Sequence, residues 1–110
     1  MGWAAMELGG LAIAFSAVAA TPAAAAQPSF DCDKAKSEVE RLICGDDVLA
    51  DLDLRLAKDF AQALARASAD QVPGLRSSQR AWRTQMLKCA QTPDPRGCTL
   101  EAYTRRIDQL

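Results

Sequence analysis

The chain has 110 residues, with 13 Lys plus Arg, 14 Asp plus Glu, four cysteines and no histidine. Its length allows one domain at most, and a net charge of −1 argues against a nucleic-acid-binding protein. Without histidine it lacks the commonest general base and the commonest metal ligand, so a binding module is expected and an enzyme or metalloprotein is not.

Residues 1–26 read as a signal peptide. Leu11 to Ala20 is an apolar run of ten residues, the length of an h-region. Small residues follow, and cleavage is expected after Ala26, with Ala20 as the other candidate. The segment before the run carries Glu7 and no Lys or Arg, which is unusual for an export signal. An uncleaved anchor fits less well, because Gly9, Gly10, Thr21 and Pro22 interrupt a stretch that would need about 20 apolar residues to span a bilayer. No stable membrane anchor is expected after cleavage, since Cys32 stands too far behind the apolar run to take a lipid.

Residues 27–110 form the domain, and a chain of 84 residues buries only about 60–65% of its unfolded surface. Such a domain benefits from covalent staples. An even number of cysteines behind an export signal reads as two disulfides among Cys32, Cys44, Cys89 and Cys98. Three connectivities are open. The local pairs Cys32–Cys44 and Cys89–Cys98 are the simplest, each joining a helix to the segment beside it. Zinc is disfavoured, because the intervals are 11 and 8 residues and histidine is absent. No cofactor is expected.

Helical periodicity runs through the domain, and no stretch alternates like a strand. Ser37 and Glu40 form a capping-box pattern that starts a helix ending near Cys44, with Gly45 placed to stop it in a left-handed conformation. Asp46 and Asp47 offer an N-cap for a helix over 48–67, whose apolar face is Leu49, Leu52, Leu56, Phe60, Ala63, Leu64 and Ala67. Pro73-Gly74 reads as a turn. A third helix over 75–90 turns Leu75, Trp82, Met86 and Cys89 inward. A loop over 92–97 leads to a last helix over 99–110, with Leu100, Tyr103, Ile107 and Leu110 inward. The expected fold is all-α, a small bundle of about four helices.

Phe30-Asp31-Cys32, Val39-Glu40-Arg41-Leu42-Ile43-Cys44 and Leu49-Ala50-Asp51-Leu52-Asp53 together resemble the opening of the LprI-like lysozyme inhibitor domain. The second half is similar too: Gln79-Arg80-Ala81-Trp82, then Cys89, Cys98, Tyr103, Arg106 and Ile107. The resemblance implies a small exported bacterial helical domain, periplasmic or secreted, whose partner is a protein such as lysozyme. It marks Glu40, Asp53, Gln79, Arg80, Trp82, Tyr103 and Arg106 as family-motif positions. Two positions depart from it: Phe60 stands where tyrosine is expected, and Met86 where arginine is expected.

Charge is unevenly placed. Residues 31–53 hold eight acidic and three basic side chains, net −5, whereas residues 54–110 hold five acidic and ten basic, net +5. An acidic segment suits a cationic partner, raising on-rate and specificity more than affinity. The plainer reading is solvated helix faces. Asp46, Asp47 and Asp51, around the turn between the first two helices, are the candidate partner-binding residues. Trp82 is expected in the core rather than as an exposed anchor, and Tyr103 half-buried with its hydroxyl at the surface. Asp53 is expected to form a local hydrogen bond or a salt bridge to the arginine-rich third helix. Asp51 and Asp53 do not read as a glycosidase dyad, since positions two apart face different sides of a helix. The alternative to an inhibitor is an envelope-binding or scaffold module. Export predicts a product outside the cytoplasm that is lighter by the mass of residues 1–26; full-length chain recovered with membranes would point to an anchor.

Overall fold

The computed structural model describes residues 9–10, 12–14 and 26–110. The expected signal segment lies almost wholly outside the described residues. Four helices follow in order: α1 (Glu38–Gly45), α2 (Asp47–Arg66), α3 (Val72–Leu87) and α4 (Pro95–Gln109). Short 3-10 turns at Cys32–Lys34 and Lys88–Gln91 precede α1 and follow α3. There is no strand among the described residues. The all-α expectation holds.

Each helix start has a local cause. The Ser37 side chain accepts from the Glu40 amide, opening α1. Asp46 caps α2 by accepting from the amides of Val48 and Leu49. Asp94 caps α4 by accepting from Gly97 N, and Pro95 occupies the first helical turn. A β-carbon at Gly97 would meet the Asp94 carboxylate that folds over it, so a side chain there would displace the cap.

Three boundaries differ from expectation. Gly45 does not adopt a left-handed conformation; no described glycine has positive φ. It is the last residue of α1, and Asp46 alone makes the turn into α2 in an extended conformation, φ −128° and ψ 112°. Pro73-Gly74 is not a turn but part of the first turn of α3, where proline's missing N–H and fixed φ are tolerated. For the same reason Pro95 starts α4 four residues before the expected Thr99, and the loop shortens accordingly.

The core gathers Val39 and Ile43 of α1, Leu49 and Leu56 of α2, Met86, Cys89, and Tyr103 of α4. The central helix α2 packs chiefly against α4 and α1. Its apolar face is fully buried at Leu49 and Leu56, while Phe60, Ala63, Leu64 and Ala67 are only half-buried. Trp82 packs against the cluster, edge-on to Tyr103 with ring centroids 5.1 Å apart, and its indole N–H donates to Ala102 O at 3.0 Å. It is therefore a core-edge residue, as its helical spacing suggested.

Both disulfides take the local pairing, Cys32–Cys44 and Cys89–Cys98, with Cα–Cα distances of 5.9 and 5.5 Å. The first fastens the amino-terminal 3-10 turn to the end of α1. The second ties the segment after α3 to the start of α4. Closing loops of this size contributes roughly 3 kcal/mol each in the chain-entropy model. Replacing either pair by alanines is expected to lower the Tm by roughly 12–24 °C for a domain of this length, measured by thermal unfolding. An unchanged melting curve would show that the bridges do not support the fold.

Candidate functional site

Five of the seven family-motif positions converge on one groove. Glu40 from α1, Asp53 from α2, Gln79 and Trp82 from α3 and Tyr103 from α4 all line a groove of about 230 Å3, together with Ser29, Phe30 and Arg83. Arg106 lies behind it and Arg80 beside it.

The base of the groove is polar. Asp53 is buried, and its Oδ1 accepts from the Tyr103 hydroxyl at 2.7 Å. Its Oδ2 accepts from both the backbone N–H and the hydroxyl of Ser29, each at 2.6 Å. One carboxylate thus joins α2, α4 and the segment before the first disulfide. Two expectations are corrected here. Tyr103 is 1% exposed rather than half-buried, and its hydroxyl points inward because the acceptor is inside. Asp53 pairs with a tyrosine and a serine, not with an arginine of α3.

Arg106 is also buried, yet it faces no carboxylate. Its guanidinium donates to Gln79 Oε1 at 2.8 Å, Ser78 Oγ at 2.9 Å and Gln109 Oε1 at 3.2 Å. Burial lowers its pKa, but neutral acceptors satisfy it, and no buried side-chain N or O among the described residues lacks a partner. Arg106 holds α4 to α3 and fixes the Gln79 amide.

The acidic turn lies elsewhere. Asp46 Oδ2 pairs with Arg96 Nε at 2.6 Å, which links the α1–α2 turn to the start of α4. The Arg96 guanidinium, then the cap bond to Leu49, holds the Asp46 carboxyl below its ordinary value. That stabilisation is present above the ordinary carboxylate pKa and is lost as pH falls through the lowered one. Asp46 is therefore committed to structure. Asp47 and Asp51 are exposed, and four residues apart they share one face of α2. Asp51 and Asp53 do point to opposite sides, one exposed and one buried. No group of residues among those described could hold a metal ion.

Several site residues carried little signal in the sequence. Ser29 reaches Asp53 across 24 positions, and only the Cys32–Cys44 bridge, which sets the path of that segment, hinted at it. Arg96 pairs with Asp46 across 50 positions, with nothing local to announce it. Met86, where the resemblance predicted arginine, is buried in the core, and Phe60 is half-buried beside α3.

Burial, then the neighbouring Asp53 charge and hydrogen bond, push the Tyr103 phenol far above the ordinary tyrosine value. A phenol whose folded-state pKa is raised adds stability that is complete below the unfolded value, about 10, and declines as pH rises above it. Tyr103 is the chain's one tyrosine. Tyrosinate absorbance should therefore appear only together with unfolding in an alkaline titration; ionisation near the free value in folded protein would contradict the buried pair. Tyr103→Phe strips Asp53 of a buried donor and should cost about 1–3 kcal/mol in denaturant unfolding. Asp46→Ala should cost about 1 kcal/mol through the lost cap, and Asp46→Asn much less of that.

The family model described as "Lysozyme inhibitor LprI" matches residues 32–110. The chain is similar to proteins named "Lipoprotein LprI" from Mycobacterium bovis and from two strains of Mycobacterium tuberculosis, 42% identical over 105 residues, covering 90% of this chain. It spans about half the length of these curated relatives, 51%. No solved structure matches it.

Proposed function

The chain belongs to the LprI lysozyme inhibitor family, and from that premise we propose that it is an exported bacterial protein, periplasmic or secreted, that binds a lysozyme-type muramidase and blocks it. The family description is of an inhibitor and not of a catalyst. Two disulfides fit an oxidising compartment, and no helix among the described residues is long and apolar enough to cross a membrane. The relatives are named lipoproteins. All four cysteines of this sequence are paired with one another.

The observation that carries the reading is the unneutralised charge around the α1–α2 turn. Of the eight acidic side chains in 31–53, Asp46 alone takes part in an ion pair among the described residues. The Cys32–Cys44 bridge and the Asp46–Arg96 pair flank this turn, and Asp47 and Asp51 are exposed beside it, with Asp47 Oδ1 accepting from the Ala26 amide at 3.2 Å. Lysozymes are commonly basic outside their cleft. An acidic surface steers such a partner in and orders its approach.

Steering through exposed charge is screened by salt, with a Debye length of about 8 Å at 0.15 M. Asp47→Asn with Asp51→Asn should slow association with lysozyme by up to about tenfold at low salt. The variant's melting curve should stay unchanged, and the difference should shrink as salt rises. Stopped-flow association and a cell-wall lysis assay read both effects. Association indifferent to salt and to these substitutions would exclude steering by this turn. Absence of binding and inhibition at every salt concentration would exclude the inhibitor reading.

A further inference from the structure

Three basic side chains stand in a row on α3. Arg76, Arg80 and Arg83 follow at spacings of four and three residues, which aligns them along one helix face with Cβ atoms about 5–6 Å apart. All three are exposed, and none is in an ion pair among the described residues. With Phe60 and Gln79 they wall a groove of about 220 Å3. It adjoins the motif groove, sharing Gln79 and Arg83 with it.

The chemistry of this groove is one-sided. A guanidinium only donates, so Arg106 bonding to Gln79 Oε1 turns the amide oxygen toward α4 and leaves the amide nitrogen as a donor. Three arginines, the Gln79 amide and an aromatic ring line the groove, and the one side-chain acceptor among them, Gln79 Oε1, is taken by Arg106. The nearby carboxylates do not compensate: Asp53 is engaged by Tyr103 and Ser29, and Asp59 pairs with Arg55 at 3.8 Å. Glu40 stands across the adjoining groove, against three arginines.

We infer that this arginine row is the element that enters the muramidase cleft and pairs with its two carboxylates, while the acidic turn contacts the basic surface outside. The inference rests on the inhibitor reading and adds which residues engage the cleft. The carboxyl groups of glycosidases stand about 5–9.5 Å apart, a separation that successive arginines of the row span. Planar guanidinium groups bind carboxylates bidentately and carry their charge on long stems. Asp47 and Phe60 are thirteen residues apart on α2, about 20 Å along the helix. One domain can therefore present acid to the outside of the enzyme and arginine to its cleft.

The test is a double-mutant cycle by calorimetry with the full chain, disulfides intact. The titrants are a lysozyme and the same enzyme with both cleft carboxylates changed to amides. Native chain should bind the amide enzyme at least about tenfold more weakly, the scale of one lost desolvated charge pair. The triple variant R76Q/R80Q/R83Q should lose a similar factor on the native enzyme and nothing further on the amide enzyme. R80Q alone, a single exposed change, should show a smaller loss with the same non-additivity, and circular dichroism should confirm that both variants fold. Removing positive charge makes the chain more acidic, which by itself would strengthen attraction to a basic enzyme, so net charge cannot mimic the expected loss. Undiminished binding by the triple variant, or losses that simply multiply, would overturn the arginine row while leaving the inhibitor reading standing. Failure of the native chain to bind native lysozyme would overturn both.

Discussion

The buried carboxylate of Asp53 is the interaction on which the arrangement of this domain turns. A carboxylate removed from water is costly unless its acceptors are filled, and here three donors fill them. Those donors come from α4 and from the segment before α1, neither adjacent to α2 in sequence. Satisfying one charge therefore requires three remote pieces of chain to meet. The groove carrying most of the family-motif residues forms where they meet. Tyr103 is drawn inward for the same reason, and Trp82 closes the edge of the site by packing on its ring.

Around that centre the domain relies on connections more than on mass. Among the described residues its buried apolar cluster is small: seven residues spread over the four helices and the turn after α3. The disulfides fasten segments around this cluster, and Cys89 belongs to it. The Asp46–Arg96 pair and the Arg106–Gln79 bond add polar links between helices. The exposed pair has a modest energetic role. Arg106 is different, because a buried guanidinium left without acceptors would carry a large penalty. Its bonds also hold the α3 face from which Arg76, Arg80 and Arg83 project.

The charge distribution follows the fold rather than the chain ends. The acidic segment lies around the first disulfide and α1, while the arginine row lies on α3, across a groove from Phe60 of α2. Net charge is thereby near zero, while acidic side chains collect in 31–53 and three arginines line one groove on α3. Such a surface can complement a basic enzyme with an acidic cleft, where a uniformly acidic protein would meet repulsion at the cleft itself.

Local physics made much of this legible without coordinates. The 3.6-residue spacing of Leu49, Leu52 and Leu56 predicted α2, Ser37 and Asp46 announced two helix starts, and the short cysteine intervals favoured the local disulfides that form. Those features depend on neighbours within a few residues, which periodicity and capping rules describe. The prolines misled for a related reason: Pro73 and Pro95 signal a break equally well whether they end a loop or begin a helix, and hydrogen bonding beyond them decides which. The Asp53–Tyr103–Ser29 network, the Asp46–Arg96 pair and the burial of Arg106 bring together residues 24 to 50 positions apart, and their partners could not be read from spacing. Resemblance marked Asp53, Gln79, Tyr103 and Arg106 as notable but not as mutual contacts. The sequence determined the helices, the staples and the sign of charge along the chain. The tertiary structure decided which polar groups had to be buried together, because only packing removes water and leaves each of them the protein partners that surround it.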